Sequence, residues 1–170
     1  MSSVLKKPRA LPRAATQPRP LSKVGSRTAH EDQRWPALVA ALRDLHEQRR
    51  HAVRIVDADC GCGCLLLEAA RYAQVLGFTA IEARGIDGSP ALIGRARVAA
   101  ARFHDHAIGV EFDLADMVEG LTQEADFPAD IVLCGSLAGL DGSRMGALLR
   151  AAGKRVISIS MPDPRMGGCA

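Results

Sequence analysis

The densest chemistry in this 170-residue chain lies in the run Val53-Arg54-Ile55-Val56-Asp57-Ala58-Asp59-Cys60-Gly61-Cys62-Gly63-Cys64. A β-branched stretch runs into a turn holding two carboxylates and two glycines, and a helix-forming segment follows. Glycine is needed where a ligand lies against the backbone, because a side chain would collide with it. The unpaired N–H groups of the following helix start can receive a carboxylate or phosphate. A second group, Gly85-Ile86-Asp87-Gly88-Ser89-Pro90, places an acid at the end of another strand, where one carboxylate can accept both hydroxyl protons of a ribose. A third, Asp116-Met117, follows a third strand and offers a polar side chain and a backbone edge suited to an adenine ring. A fourth, Ala129-Asp130-Ile131-Val132-Leu133-Cys134, opens toward the same side.

Positioning such groups together requires parallel strands that deliver their carboxyl ends to one edge. The periodicity predicts that arrangement. Trp35-Pro36 opens a helix in which Leu38, Leu42 and Leu45 share a face, and proline suits the first turn. Val53 to Ala58 reads as a strand, and Leu65 to Leu76 as a helix closed by Gly77. Arg84 to Asp87 ends a second strand, and Ser89 caps a helix running to about Phe103. Ile108, Val110 and Phe112 alternate as a third strand, and Ile131 to Cys134 form a fourth. Asp141 to Ala152 reads as a helix closed by Gly153, and Arg155 to Ser160 as a fifth strand. Strand–helix alternation with apolar strands implies one α/β domain, a doubly wound and mainly parallel sheet covered on both faces.

The series Asp57-x-Asp59-x-Gly61-x-Gly63, then Gly85 to Pro90 leading into Arg95-Ala96-Arg97, then Asp116, then Asp130-Ile131-Val132, resembles the class I S-adenosylmethionine-dependent methyltransferases in order and approximate spacing. The resemblance covers about residues 32 to 160 and implies a Rossmann-like core of about five strands that lacks the family's usual C-terminal strand pair. It implies S-adenosyl-L-methionine as cofactor and methyl transfer as activity. By that resemblance Asp57 orients the turn and the methionyl amino group, and Gly61 and Gly63 let the backbone approach the methionyl and ribose portions. Asp87 would bind the ribose hydroxyls, with Gly88 beside the adenine. Asp116 would accept from the adenine amino group next to the Met117 backbone, and Cys134 would lie beneath the sulfonium. The family usually carries glycine where this chain has Asp59, whose carboxylate either repels the cofactor's own or binds its ammonium or a water. With the usual strand pair missing, part of the substrate wall is absent or comes from another subunit, so a homo-oligomer fits.

Other chemistries fit the residues less well. A nicotinamide-binding turn needs glycine three residues after Gly63, and that position is Leu66. Cys60, Cys62 and Cys64 are separated by single glycines, whereas zinc ligands are usually spaced by about two to four residues. Bridges within so short a run are awkward, and reduced thiols are the simpler expectation. His104 and His106 flank Asp105 and read as helix-end polar groups rather than a catalytic base. His30 and Trp35 read equally as a lid over the cofactor or as a packing anchor. The segment Leu133-Cys134-Gly135-Ser136-Leu137 lacks the Pro-Pro-aromatic signature of amino-group methylation, and no Pro-Cys pair suggests a covalent cytosine mechanism. Aromatic content of 4% leaves few surfaces for base stacking, so the acceptor is expected to be a small molecule.

Charge is unevenly placed. The net charge is +3, yet residues 1–29 hold seven basic residues, four prolines and no acid, leaving 15 basic against 19 acidic residues elsewhere. This stretch reads as a disordered tail ahead of a domain spanning residues 30–170, with ordered structure beginning near Asp32. A basic arm can tether RNA by counterion release, which keeps an RNA methyltransferase open as an alternative. A non-catalytic binding or interaction module on the same fold is another. No stretch reaches the roughly 18 apolar residues of a membrane span, and no secretory signal is visible, so a cytoplasmic location is expected.

Overall fold

The computed structural model describes residues 26–103, 105–135 and 142–159. Most of the basic tail (residues 1–25), His104, Ser136, Leu137, Asp141 and Ser160, each given a part above, lie outside the described residues. The elements in chain order are α1 (Ser26–His30), α2 (Trp35–Glu47), β1 (Ala52–Asp57), α3 (Cys64–Leu76), β2 (Ala80–Asp87), α4 (Pro90–Ala100), β3 (Ile108–Leu114), α5 (Met117–Glu124), β4 (Ala129–Cys134), α6 (Gly142–Ala152) and β5 (Gly153–Ser158). Among the described residues order is thus present from Ser26, a few residues before Asp32, and Ala29 of α1 is buried in the core.

The five strands form one sheet in the order β3-β2-β1-β4-β5, and every pairing is parallel. Strand β1 is central, with Asp57 opposite Gly85 on one side and Leu133 on the other. The connections after β1 and β4 leave in opposite directions there, which opens a crevice at the carboxyl edge. On one face, Val53, Ile55, Ile81, Ile131 and Leu133 pack with Leu38 and Leu42 of α2 and Leu66, Ala69 and Ala73 of α3. On the other, Val56, Ile86, Val132 and Cys134 pack with Leu121 of α5 and Met145 and Leu149 of α6. Strand side chains alternate between these clusters as the pleat requires.

Local stops and starts follow the residues that set them. Gly77 ends α3 with φ +106°, a left-handed conformation that residues with a Cβ adopt at a penalty. Ser89 Oγ accepts from the Leu92 N–H and caps α4 ahead of Pro90. Helix α4 ends at Ala100 rather than near Phe103. Gly153 does not terminate α6 as a cap; it is the first residue of β5, paired with Ala129.

A buried ion cluster lies beneath α5. Glu124 is 1% exposed and pairs with Arg84 and with Arg54 at 2.6 Å, while Arg84 also holds Asp113 at 2.6 Å.

The ring of Phe112 on β3 sits against Gly85 and against Gly63 at the start of α3. A Cβ on Gly85 would stand 2.5 Å from Phe112 Cε1 and 2.9 Å from Cys60 Sγ. Gly85→Ala is therefore expected to lower stability by about 1–3 kcal/mol through overpacking. Urea denaturation checks this, and an unchanged midpoint would mean that the ring moves aside at no cost.

Candidate functional site

The carboxyl edge of the sheet is organised around the turn between β1 and α3. The Ala58 N–H donates to Leu133 O (2.8 Å) and the Cys60 N–H to Ile86 O (3.1 Å), so the turn is tied to both neighbours of β1. Gly61 (φ +58°) and Gly63 (φ +76°) bend the chain sharply into the helix. The Gly61 N–H donates to Asp87 Oδ2 at 3.0 Å, and the Ser89 N–H donates to Asp87 Oδ1 at 2.8 Å. Two motifs 26 residues apart are thereby locked together, and each Asp87 oxygen keeps room for a further donor.

A cleft of about 90 Å³ opens beside this turn, walled by Asp59, Cys60, Gly61, Cys62 and Cys64 on one side and by Thr28, Ala29, Asp32 and Arg34 on the other. Asp59 reaches across toward the end of β4, close enough that a Cβ on Gly135 would overlap its carboxylate. Behind the cleft, Asp57 is fully buried and accepts from Arg34 Nη1 at 3.3 Å. Its other oxygen, Oδ2, has no hydrogen-bond partner among the described residues.

Arg34 is the residue that sequence reasoning missed. Its side chain is only 7% exposed and joins Asp57 to Asp32, donating from Nε (3.0 Å) and Nη2 (2.8 Å) to the two Asp32 oxygens. Burial works against its charge, but the Asp32 hydrogen bond and the charges of Asp57, Asp32 and Asp59 outweigh that, holding the guanidinium above its ordinary pKa. For Asp57 burial wins: the carboxyl is pushed up to about 6 despite Arg34, and the like charge of Asp59 adds to the rise.

The remaining site residues fall around this centre. Gly88 is exposed, and a Cβ there would meet nothing nearer than Ala115 O at 3.9 Å, so the loops after β2 and β3 adjoin. Asp116 is also exposed, but its Oδ1 already accepts from the Val118 N–H (2.8 Å) as the cap of α5, with Met117 the first helical residue. Gly63 is buried under the Phe112 ring. Cys134 points away from the edge into the core below α6, and burial pushes its thiol up to about 11. Asp130 belongs to the opposite edge. There it is gripped by Arg50 (3.1 Å), Lys154 (2.9 Å) and the Arg54 N–H (3.0 Å), which hold its carboxyl low against the effect of burial. His30 and Trp35 stack at 4.5 Å, with Trp35 edge-on to Tyr72 and His30 against Glu68, so this pair anchors α1 and α2 onto α3.

A larger cavity of about 470 Å³ lies at the amino edge, among Arg50, Arg54, Glu82, Phe127 and Lys154. Its charged groups pair with one another and with Asp130, and among the described residues its lining includes no helix start. The carboxyl edge, with its open backbone and converging carboxylates, is the better ligand site despite its smaller volume. Among the described residues, no helix is long and apolar enough to cross a membrane.

No protein-family model matches the chain, and no curated protein matches it. Solved structures do. A Listeria monocytogenes protein described as a class I S-adenosylmethionine-dependent methyltransferase is 20% identical with a TM-score of 0.56, over 81% of this chain and 47% of that one. Magnesium protoporphyrin IX methyltransferase from Synechocystis PCC 6803, solved with bound SAH, is 19% identical with a TM-score of 0.51, over 78% of this chain and 56% of that one. Monomeric WbdD is 22% identical with a TM-score of 0.62, over 78% of this chain and 32% of that one. The chain therefore spans about half the length of the first two and about a third of the last. The fold is the Rossmann-like fold of class I methyltransferases, reached here with five parallel strands.

Proposed function

We propose that this chain binds S-adenosylmethionine at the carboxyl edge of its sheet and transfers the methyl group to a small-molecule acceptor. The observation that carries the reading is the bond from the Gly61 N–H to Asp87, which ties the glycine turn that walls the cleft to the acid at the end of β2. The residues fit the cofactor. Gly61 has nothing within 4 Å of where its Cβ would stand, so its backbone offers an open face. Asp57, fully buried behind the turn, anchors Arg34 and through it the strip that forms the other wall of the cleft.

In this reading the cleft takes the methionyl end. Asp57 orients the turn, Asp59 receives the ammonium, Gly61 shapes the wall, and Gly63, packed under Phe112, sets the bend behind it. Asp87 holds the ribose hydroxyls, while Gly88, Asp116 and Met117 border the adenine, and Cys134, packed below α6, supports the end of β4 from the core. When bound, the cofactor supplies a methyl group on a positively charged sulfur. The protein's part is then to hold that sulfur in line with an acceptor and to exclude water. The carboxylates around the cleft favour the cationic cofactor, with Arg34 already committed to Asp57 and Asp32.

A second reading, a binding module without turnover, is favoured by the cleft itself. Its volume of about 90 Å³ is below the roughly 300 Å³ of ordinary small-molecule pockets. The strip Thr28 to Arg34 must shift outward for a whole cofactor to enter. Calorimetric titration of the full chain with S-adenosylmethionine and S-adenosylhomocysteine tests the proposal, and micromolar binding of the first is expected. No heat with either would sink the cofactor reading. Binding without methylation across a panel of small acceptors would leave the module.

A further inference from the structure

The cysteines of the glycine turn are not equivalent. The Cys60 thiol donates to Gly61 O (3.7 Å) and faces Gly85, and burial drives its pKa far above the ordinary thiol value. Cys62 and Cys64 differ from it. Their sulfurs stand 3.3 Å apart, and although Cys62 is as buried as Cys60, Cys64 is only half-buried where it lines the cleft. The cause is Gly63 between them. An extended residue at that position would separate the flanking Cα atoms by roughly 6.7 Å, at the limit of what a disulfide spans. The left-handed turn of Gly63 (φ +76°, ψ 8°) curls the chain and shortens that reach. Awkwardness inferred from spacing alone is thus relieved because the residue between the two cysteines is a glycine, which adopts this conformation without a Cβ penalty.

We propose that Cys62 and Cys64 form an oxidisable dithiol, a covalent modification site for hydroperoxides at the mouth of the cleft. Cys64 is the attacking sulfur, since it is the more exposed and is the first residue of α3, where unpaired backbone N–H groups favour a negative charge. Its thiolate attacks one peroxide oxygen and the O–O bond breaks. Sulfur is oxidised to the sulfenic acid, and the other oxygen leaves as an alcohol, or as water from hydrogen peroxide, after taking a proton. The Cys62 thiolate then attacks Cys64 Sγ, the S–OH bond breaks, and hydroxide leaves as water. Two thiols and one peroxide yield one disulfide, with the sulfur–sulfur gap closing from 3.3 Å to about 2.05 Å. That contraction pulls on Gly63 and the first residue of α3, so the cleft wall is reshaped. The bridge itself stands on the sulfur geometry; its effect on ligand binding rests on the proposed cofactor site.

The full chain is treated with hydrogen peroxide, freed of excess peroxide, unfolded in guanidinium chloride in the presence of N-ethylmaleimide so that buried thiols are labelled, and digested with trypsin without reductant. The peptide spanning residues 55–71 carries all three turn cysteines. Mass spectrometry should show it short of two hydrogens, with one maleimide on Cys60 and no cleavage products between Cys62 and Cys64. Cys62→Ser should trap a sulfenic acid on Cys64 that dimedone labels, while Cys64→Ser should leave Cys62 reduced. Full maleimide labelling after peroxide, or a bridge that engages Cys60, Cys134 or Cys169 instead, overturns the proposal. In parallel, the oxidised protein should bind S-adenosylmethionine at least tenfold more weakly than the same sample after dithiothreitol. A bridge with unchanged affinity overturns the regulatory consequence. A bridge in protein that binds no cofactor even when reduced sinks the cofactor site and leaves the modification site established.

Discussion

Replacing Arg34 with methionine is expected to destabilise the domain by about 3–5 kcal/mol at pH 8, the usual range when one partner of a buried ion pair is removed. Methionine keeps much of the volume but leaves Asp57 fully buried without its cation. The loss should depend on pH in a defined direction. Asp57 already titrates near 6 in the folded state, above its ordinary value of 3.8, so its ionisation weakens the native state as pH rises through that window. Without Arg34, burial and the Asp59 charge push the folded pKa higher still, and the window extends upward. Near pH 5 Asp57 carries a proton in both proteins, and the difference should shrink to the lost packing and the part-buried Asp32 contact. Urea denaturation at pH 5 and pH 8 separates these terms. Combining Arg34→Met with Asp57→Asn should recover most of the stability at pH 8, because the uncompensated charge is gone. Equal losses at both pH values, or no recovery in the double variant, would show that Arg34 acts by filling space and not by pairing charge.

The same residue marks where the sequence stops being legible. A basic residue beside Trp35 reads as a surface group, and nothing local reveals that its partner lies 23 positions away on β1. Glu124 is the parallel case: its acid falls near a turn, but Arg54 and Arg84 converge on it only once β1 and β2 pair. Patterns with period two or 3.6 capture what each element does alone. They find β1 from its β-branched run, α3 from its stop at Gly77, and α4 from the Ser89-Pro90 start. Helix α5 is short and interrupted by Gly120, so its periodicity is faint, yet Asp116 with Glu119 three residues on is a capping signature. Gly120 is there for a tertiary reason, since a Cβ would stand 2.7 Å from Ile86 Cδ1. Gly153 misled in the same manner. It reads as a helix stop but starts β5, where the Val132 side chain leaves no room for a Cβ. The positions of Asp87 and Gly61 were legible because strand ends fix them. The narrowness of the cleft was not, because the strip from Thr28 to Arg34 that covers it has no recognisable pattern.

Asp87→Ala is expected to weaken S-adenosylmethionine binding by about two orders of magnitude or more. Asp87 is 7% exposed, so a hydrogen bond it makes to a ligand is shielded from water. Hydrogen bonds to a charged group contribute roughly 1.5–3 kcal/mol each, so losing both ribose hydroxyls from one carboxylate suffices for that factor. The substitution also releases the N–H groups of Gly61 and Ser89, which now donate to its two oxygens. A loosened turn would also lower affinity, and Asp87→Asn discriminates. Its single carbonyl oxygen can keep one backbone tether but has no charge and half the accepting capacity, so it should bind between wild type and alanine while melting close to wild type. Asp116→Ala provides the contrast. Asp116 is exposed and one of its oxygens already caps α5, so its loss should lower stability by about 1 kcal/mol and affinity far less than Asp87→Ala does. Calorimetric titration with thermal melting of all three variants gives the ranking. Asp87→Ala binding like wild type would remove the ribose role and with it the strongest link between this turn and its cofactor.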